Sequence, residues 1–322
     1  MRFRNSEAIS LVLCALLLRC IVGMAQRPCR STVFVTVLDP NTNQPIDGLT
    51  ASDFHPKFRG RELPIRALGS SPSGRRIVFV LDRSGSMTHA SDEAPFGHYD
   101  PNSLEKLALG DALSNVPTSD SVAFLSFAGQ SSSHTGFMQP AVALERMPET
   151  LKWNTEGKEN RSRTALWDNL DAALRMLLPY KSGDLIVVIS DGGDNLSKLP
   201  EGTVRDELLY ANVPIVAMIV PPPLSAPHPL FDGLLTLLDL VKATGGGARI
   251  AGSPTGGIDP EVVLPVRPGQ LIRLLAHQYE LEVDAPSVGK PERWQIGVGP
   301  LESGKKVRLL YRRNLLPCAS LR

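Results

Sequence analysis

The chain has 322 residues, more than one small core holds, so two domains are the default. Its 42% hydrophobic and 21% charged content exclude a disordered or fibrous chain. A formal net charge of +1 excludes a general basic field for nucleic acid.

The first 25 residues have the pattern of a secretory signal. Arg2 and Arg4 open it, Ile9 to Val22 is largely apolar, and Gly23-Met24-Ala25 supplies small residues at the cleavage positions. Arg19 interrupts the apolar run and argues against a long membrane anchor. The expected mature chain starts at Gln26 and is secreted or periplasmic. Cleavage removes Cys14 and Cys20 and leaves Cys29 and Cys318, one near each end. Two cysteines in a secreted chain fit a disulfide. Two unrelated thiols are the alternative, because a sequence does not show that they meet.

After the signal, Thr32 to Leu38 reads as a strand closed by Asp39-Pro40-Asn41. Ser52 is placed to cap one helical turn. Phe58 to Glu62 reads as a hairpin tip, with Leu63 to Leu68 as the returning strand, and Gly69 to Gly74 as a linker. Arg76 to Leu81 is an apolar strand that delivers Asp82. A polar loop runs from Thr88 to Asn102 and carries His89 and His98, zinc candidates or plain loop residues. Leu104, Leu107, Ala108, Ala112 and Leu113 recur at helical spacing, and Ser121 to Phe127 is the next strand. An edge strand and a short helix over Pro140 to Trp153 should fill the stretch up to Arg163.

Thr164 opens a helix whose apolar face is Leu166, Leu170, Ala173, Leu174 and Leu177. Asp184 to Ser190 is a second continuous apolar strand and delivers Asp191. Further on come a helix over Val204 to Tyr210, a strand over Val213 to Val220 and a helix over Leu234 to Thr244 stopped by three glycines. A short strand, Ala248 to Ile250, and a last helix, Gln270 to His277, complete the series. Strands buried on both faces and separated by helices define an α/β chain, doubly wound on a mostly parallel sheet. Tyr279 to Val283, Trp294 to Val298 and Val307 to Tyr311 alternate like half-exposed strands and have no room in that sheet. They are expected to pair with the opening strands in a small β-sandwich built from both chain ends. Trp153, Trp167 and Trp294 read as core or interface residues.

Asp82 and Asp191 both leave the carboxyl end of an apolar strand, where open α/β sheets place their active loops. Asp82-Arg83-Ser84-Gly85-Ser86 offers three oxygen ligands from a few residues of backbone. Hard oxygen donors suit Mg²⁺, Mn²⁺ or Ca²⁺. Ser84, Ser86 and Thr164 are neutral, and Asp82 and Asp191 carry two charges, enough to balance a divalent ion. Asp194 is either an acid behind the site or a turn former in Gly192-Gly193-Asp194-Asn195.

This pattern resembles the metal-ion-dependent adhesion site of von Willebrand factor type A domains: Asp-x-Ser-x-Ser after the first strand, a Thr in a second loop, an Asp in a third. The matches are Asp82, Ser84, Ser86, Thr164 and Asp191. The opening strand, the Leu49-to-Phe54 segment and the tail strands resemble a secreted bacterial, Acidobacteria-type, group of these proteins. With the signal peptide read over 1–25, the resemblance implies a type A domain over 75–277, flanked by the sandwich from 26–74 and 278–322. It implies that the hydroxyls contact the metal directly and that some carboxylates act through water. A partner protein's acidic residue then completes the coordination, in a non-enzymatic adhesion module. Arg163 departs from the small residue common before the Thr. The alternative is a metal-dependent phosphatase-like hydrolase using Asp82, which would need an acid where Ser84 stands and a lysine that is not evident.

Overall fold

The computed structural model describes residues 29–70, 73–88, 91–94, 97–129, 131–152, 163–221, 228–251, 259–299 and 306–317. The expected signal segment, His89, Trp153 and Cys318 lie outside the described residues.

The chain opens with β1 (Cys29–Leu38), whose Val33, Val35 and Val37 point into one core. Thr50, not Ser52, caps the 3-10 turn Ala51–Asp53. Its N–H and hydroxyl both donate to Asp53 Oδ2, at 2.7 and 2.8 Å, whereas Ser52, two positions on, already lies inside the turn. β2 (Phe54–Phe58) and β3 (Arg61–Glu62) form the expected hairpin. Arg59 at φ 49° and Gly60 at φ 78° take the two left-handed positions its turn requires. The returning strand does not continue that hairpin. β4 (Ile65–Ser70) leaves it and pairs elsewhere, after Pro64, which has no N–H for a ladder. Gly69 and Ser70, expected in a linker, are the last two residues of β4.

The central sheet uses β5 (Arg76–Asp82), β8 (Ser121–Ala128), β9 (Ser131–His134), β10 (Leu185–Ser190), β11 (Ile215–Ile219) and β12 (Ala248–Ile250). Between β5 and β8 lie a single turn α1 (Gly85–Thr88), a small hairpin of β6 (Ser91–Ala94) and β7 (Gly97–Tyr99), and α2 (Pro101–Leu113). The hairpin occupies the stretch read as plain loop. Asp100 caps α2 by accepting the N–H groups of Asn102 and Ser103, and Pro101 starts it, where a missing N–H costs nothing. The remaining helices are α3 (Pro140–Lys152), α4 (Leu166–Met176), α5 (Glu201–Ala211), α6 (His228–Thr244) and α7 (Pro268–Leu274). α7 begins and ends earlier than its sequence pattern, because Pro268 sets its first turn.

Strand order is β12-β11-β10-β5-β8-β9, parallel throughout except for the edge strand β9. Side chains alternate between two cores, as the two-residue period of a strand demands. Val78 and Val80 of β5 face α4, α5 and α6, whereas Ile77, Phe79 and Leu81 face α2, α3 and α7. Each such side chain contributes about 1.5–3 kcal/mol of burial.

The tail supplies β13 (Tyr279–Ala285), β14 (Glu292–Arg293), β15 (Gln295–Val298), β16 (Arg308–Tyr311) and β17 (Asn314–Leu315). β1 lies between β13 and β16, and β4 completes this antiparallel sheet as β16-β1-β13-β4. β15 joins the β2–β3 hairpin, and β14 pairs with β17. The two chain ends share one core, with Val33, Phe54, Leu281, Trp294, Ile296 and Tyr311 among its members. Trp294 is buried there and donates from Nε1 to the Arg312 carbonyl at 2.8 Å.

Arg312 fastens this β part to the α/β part. Its guanidinium is buried and donates to Asn212 Oδ1 at 2.8 Å, to the Thr32 carbonyl at 3.3 Å and to the Leu209 carbonyl at 3.4 Å. Those acceptors are neutral, and burial pulls the guanidinium down to about 10. Leu209 lies in the last turn of α5, so the cation also meets the negative end of a helix.

Candidate metal site

β5 and β10 are adjacent and parallel, in a register that sets Leu81 beside Ile189. Asp82 therefore stands next to Ser190, and Asp191 follows one residue on. Asp82 is fully buried. Its Oδ2 accepts the Ser190 hydroxyl at 2.6 Å, and its Oδ1 accepts the Ser84 N–H at 2.9 Å. Burial, with Asp191 close by, pushes the Asp82 carboxyl up to about 7. Asp191 is buried too. Its Oδ1 accepts the Gly193 N–H at 2.9 Å, but its Oδ2 is sealed from solvent without a hydrogen-bond partner. The hydroxyls of Ser84, buried, and Ser86, exposed, lie 3.2 Å apart at the start of α1.

Thr164 belongs to the same loop cluster. It sits two residues ahead of α4 rather than opening it, and it bridges Gly129, which follows β8. The third loop grips it: Asn195 Oδ1 accepts the Thr164 N–H at 2.8 Å, and the Thr164 carbonyl accepts the N–H groups of Asn195 and Leu196 at 2.9 and 3.0 Å. Asp194, left open by the sequence, caps α4 from outside. Its Oδ1 accepts the Leu166 N–H at 2.7 Å and the Ser197 hydroxyl at 2.5 Å. Asp168 returns the link by accepting the Lys198 and Leu199 N–H groups. Asp194 is thus committed to holding the second and third loops together.

Gly192 allows the third loop its path. It has φ 87°, and a Cβ there would come within 2.9 Å of the Gly233 backbone on α6. An L side chain fails on both counts.

Two participants escaped the sequence reading. Ser190 is a buried hydroxyl donor to Asp82; its place at the carboxyl end of an apolar strand was the available signal. Arg83 is buried and pairs with the buried Glu105 of α2. Strand parity puts Arg83 on the opposite face from Asp82, under α2 and α3. Burial pushes the Glu105 carboxyl up to about 8, against the opposing pull of the Arg83 guanidinium.

Among the described residues no three His, Cys, Asp or Glu side chains gather as a metal cluster. A cation held here would rely on two carboxylates and on hydroxyls. That donor set fits a hard divalent ion. The sealed Asp191 Oδ2 and the mutual repulsion of Asp82 and Asp191 fit it as well, since both are relieved by a positive charge.

No family model matches the chain, and no curated protein sequence matches it. Among solved structures it is similar to a von Willebrand factor type A protein from Catenulispora acidiphila, at 11% identity and TM-score 0.43, over 89% of this chain and 74% of that one. It is similar to the conserved hypothetical protein BatB from Bacteroides thetaiotaomicron, at 16% identity and TM-score 0.43, over 63% and 99%. The SpRpn10 VWA domain follows at 10% identity and TM-score 0.38, over 62% and 93%. These neighbours are type A proteins at low sequence identity.

Proposed function

We propose that the chain is a divalent-cation-dependent protein-binding module. Asp82, Ser84, Ser86, Thr164 and Asp191 would hold Mg²⁺, Mn²⁺ or Ca²⁺. The observation that carries this reading is the pair of buried acids, one with an unpartnered oxygen. A buried uncompensated carboxylate is costly, and a cation is the usual compensation. When bound, the ion supplies an electrophilic position that an acidic side chain of a partner protein can fill. Ser84 and Ser86 offer neutral oxygens, which leave the ion's charge available to the partner. Thr164 is presented by a backbone clamped at both its N–H and its carbonyl.

The reading is non-enzymatic. A hydrolase using Asp82 is less well supported, because both Asp82 oxygens accept hydrogen bonds and Asp194 is spent on the α4 cap. The division into a signal over 1–25, a type A unit over 75–277 and a flanking sandwich, with secretion to the periplasm or beyond, is part of this proposal. Among the described residues no helix is long and apolar enough to cross a membrane.

The test is calorimetric titration with Mg²⁺ and Mn²⁺, followed by capture of partners from the native secretome with and without chelator. Saturable uptake and chelator-sensitive capture support the reading. A well-folded chain that takes up neither ion overturns it.

A further inference from the structure

Arg83 occupies a variable position of the motif, yet it is among the largest fully buried side chains. Its contacts radiate to several separate elements. The backbone N–H donates to the Phe127 carbonyl of β8 at 2.7 Å. The guanidinium donates to Glu105 and reaches Asn102 Oδ1 at 3.3 Å, both on α2, and donates to the Leu151 carbonyl in the last turn of α3 at 2.7 Å. Asp82 and Ser84 flank it directly. Two atoms of the pair, Arg83 Nε and Glu105 Oε1, have no hydrogen-bond partner, so the pair is not optimised for its own stability. A buried ion pair with orphaned atoms adds little to folding, and an apolar pair of similar volume would do as well. Its geometry has a use elsewhere: it nails the first loop to α2 and α3 at the one residue between two proposed ligands.

We propose that Arg83, paired with Glu105, is a positioning residue that sets the cation affinity of the Asp82–Ser84–Ser86 loop without touching the ion. This rests on the metal reading above. Residues that orient a ligand from behind commonly govern metal affinity about 10–100-fold.

The experiment compares Mn²⁺ affinity by calorimetry with unfolding of the metal-free protein, in the full chain and four variants. Arg83→Met and Glu105→Gln should each lower Mn²⁺ affinity by about 10–100-fold. Arg83→Lys keeps the charge but lacks the fork that spans Glu105 and Leu151, so it should recover only part of the affinity. The double variant Arg83→Met/Glu105→Leu removes the buried charges together and should unfold near the parent's midpoint while keeping the weakened Mn²⁺ affinity. It also guards against misfolding of the single variants, which leave one charge unpaired. Parental Mn²⁺ affinity in the folded double variant, or in Arg83→Met, overturns the role. A parent chain that takes up no Mn²⁺ overturns the metal reading and this role together, whereas a binding parent with unaffected variants overturns the role alone.

Discussion

Burial, and after it the nearby charge of Asp191, pushes the Asp82 carboxyl up to about 7. An acid raised in the folded state binds a proton that the unfolded chain has already released. Between the ordinary carboxylate range and about 7, the metal-free protein should therefore lose stability as pH rises. Thermal unfolding across pH 4 to 9, roughly, with and without Mg²⁺, checks this. The gain from Mg²⁺ should grow with pH, and a metal-free midpoint that climbs over that range would refute the argument. Asp82→Asn relieves the repulsion and keeps the shape, with one of the two acceptor oxygens. It should abolish Mg²⁺ binding and raise the metal-free midpoint at pH 8, by about 2–4 °C for each kcal/mol relieved. Asp191→Ala should weaken the ion as well. Thr164→Ala should leave fold and circular dichroism unchanged but cut partner binding, because the loop is held by its backbone rather than its hydroxyl.

At the scale of elements, the contact between the β part and the α/β part concentrates at Arg312 and at the glycines after α6. Replacing Arg312 with Met removes donors from several buried acceptors and should cost on the order of 3 kcal/mol in denaturant unfolding. An unchanged midpoint would mean that the apolar contact of Leu38 and Leu310 with the α/β core suffices. Gly246 is stricter. A Cβ there would sit 1.7 Å from the Ile215 carbonyl oxygen, so Gly246→Ala must displace β11 and should destabilise by more than a surface change does. The hairpin turn was legible from Gly60, which suits a left-handed position, whereas Arg59, left-handed as well, carried no such signal. The departure of β4 to another sheet was not, since alternation tells which face is buried but not which strand lies alongside.

At the scale of the whole chain, both ends meet in one antiparallel sheet, with β1 beside β13 and β16. Cys29 opens β1, and a bond to Cys318 would close nearly the whole mature chain into one loop. By the chain-entropy model such a closure gains roughly 5–6 kcal/mol, less any strain. Peptide mapping under non-reducing conditions should recover Cys29 and Cys318 in one cross-linked species, and free thiols in exported protein would count against it. Mass spectrometry of the same material should find Gln26 at the amino terminus.

The sequence by itself determined the alternation of strand and helix, the buried runs that carry Asp82 and Asp191, and the return of the tail to β structure. Those follow from local periodicity, because a strand covered on both faces must be apolar at every position. Only the tertiary structure decided how the loops interlock. Thr164 is held by Asn195, α4 is capped by Asp194, Asp82 leans on Ser190, and Arg83 turns under α2 to meet Glu105. Each of these joins residues at least 20 positions apart, and a polar side chain in a loop looks the same in sequence whether it faces water, a helix end or a buried arginine. Burial makes that choice, and burial belongs to the assembled sheet and helices rather than to any single stretch of chain.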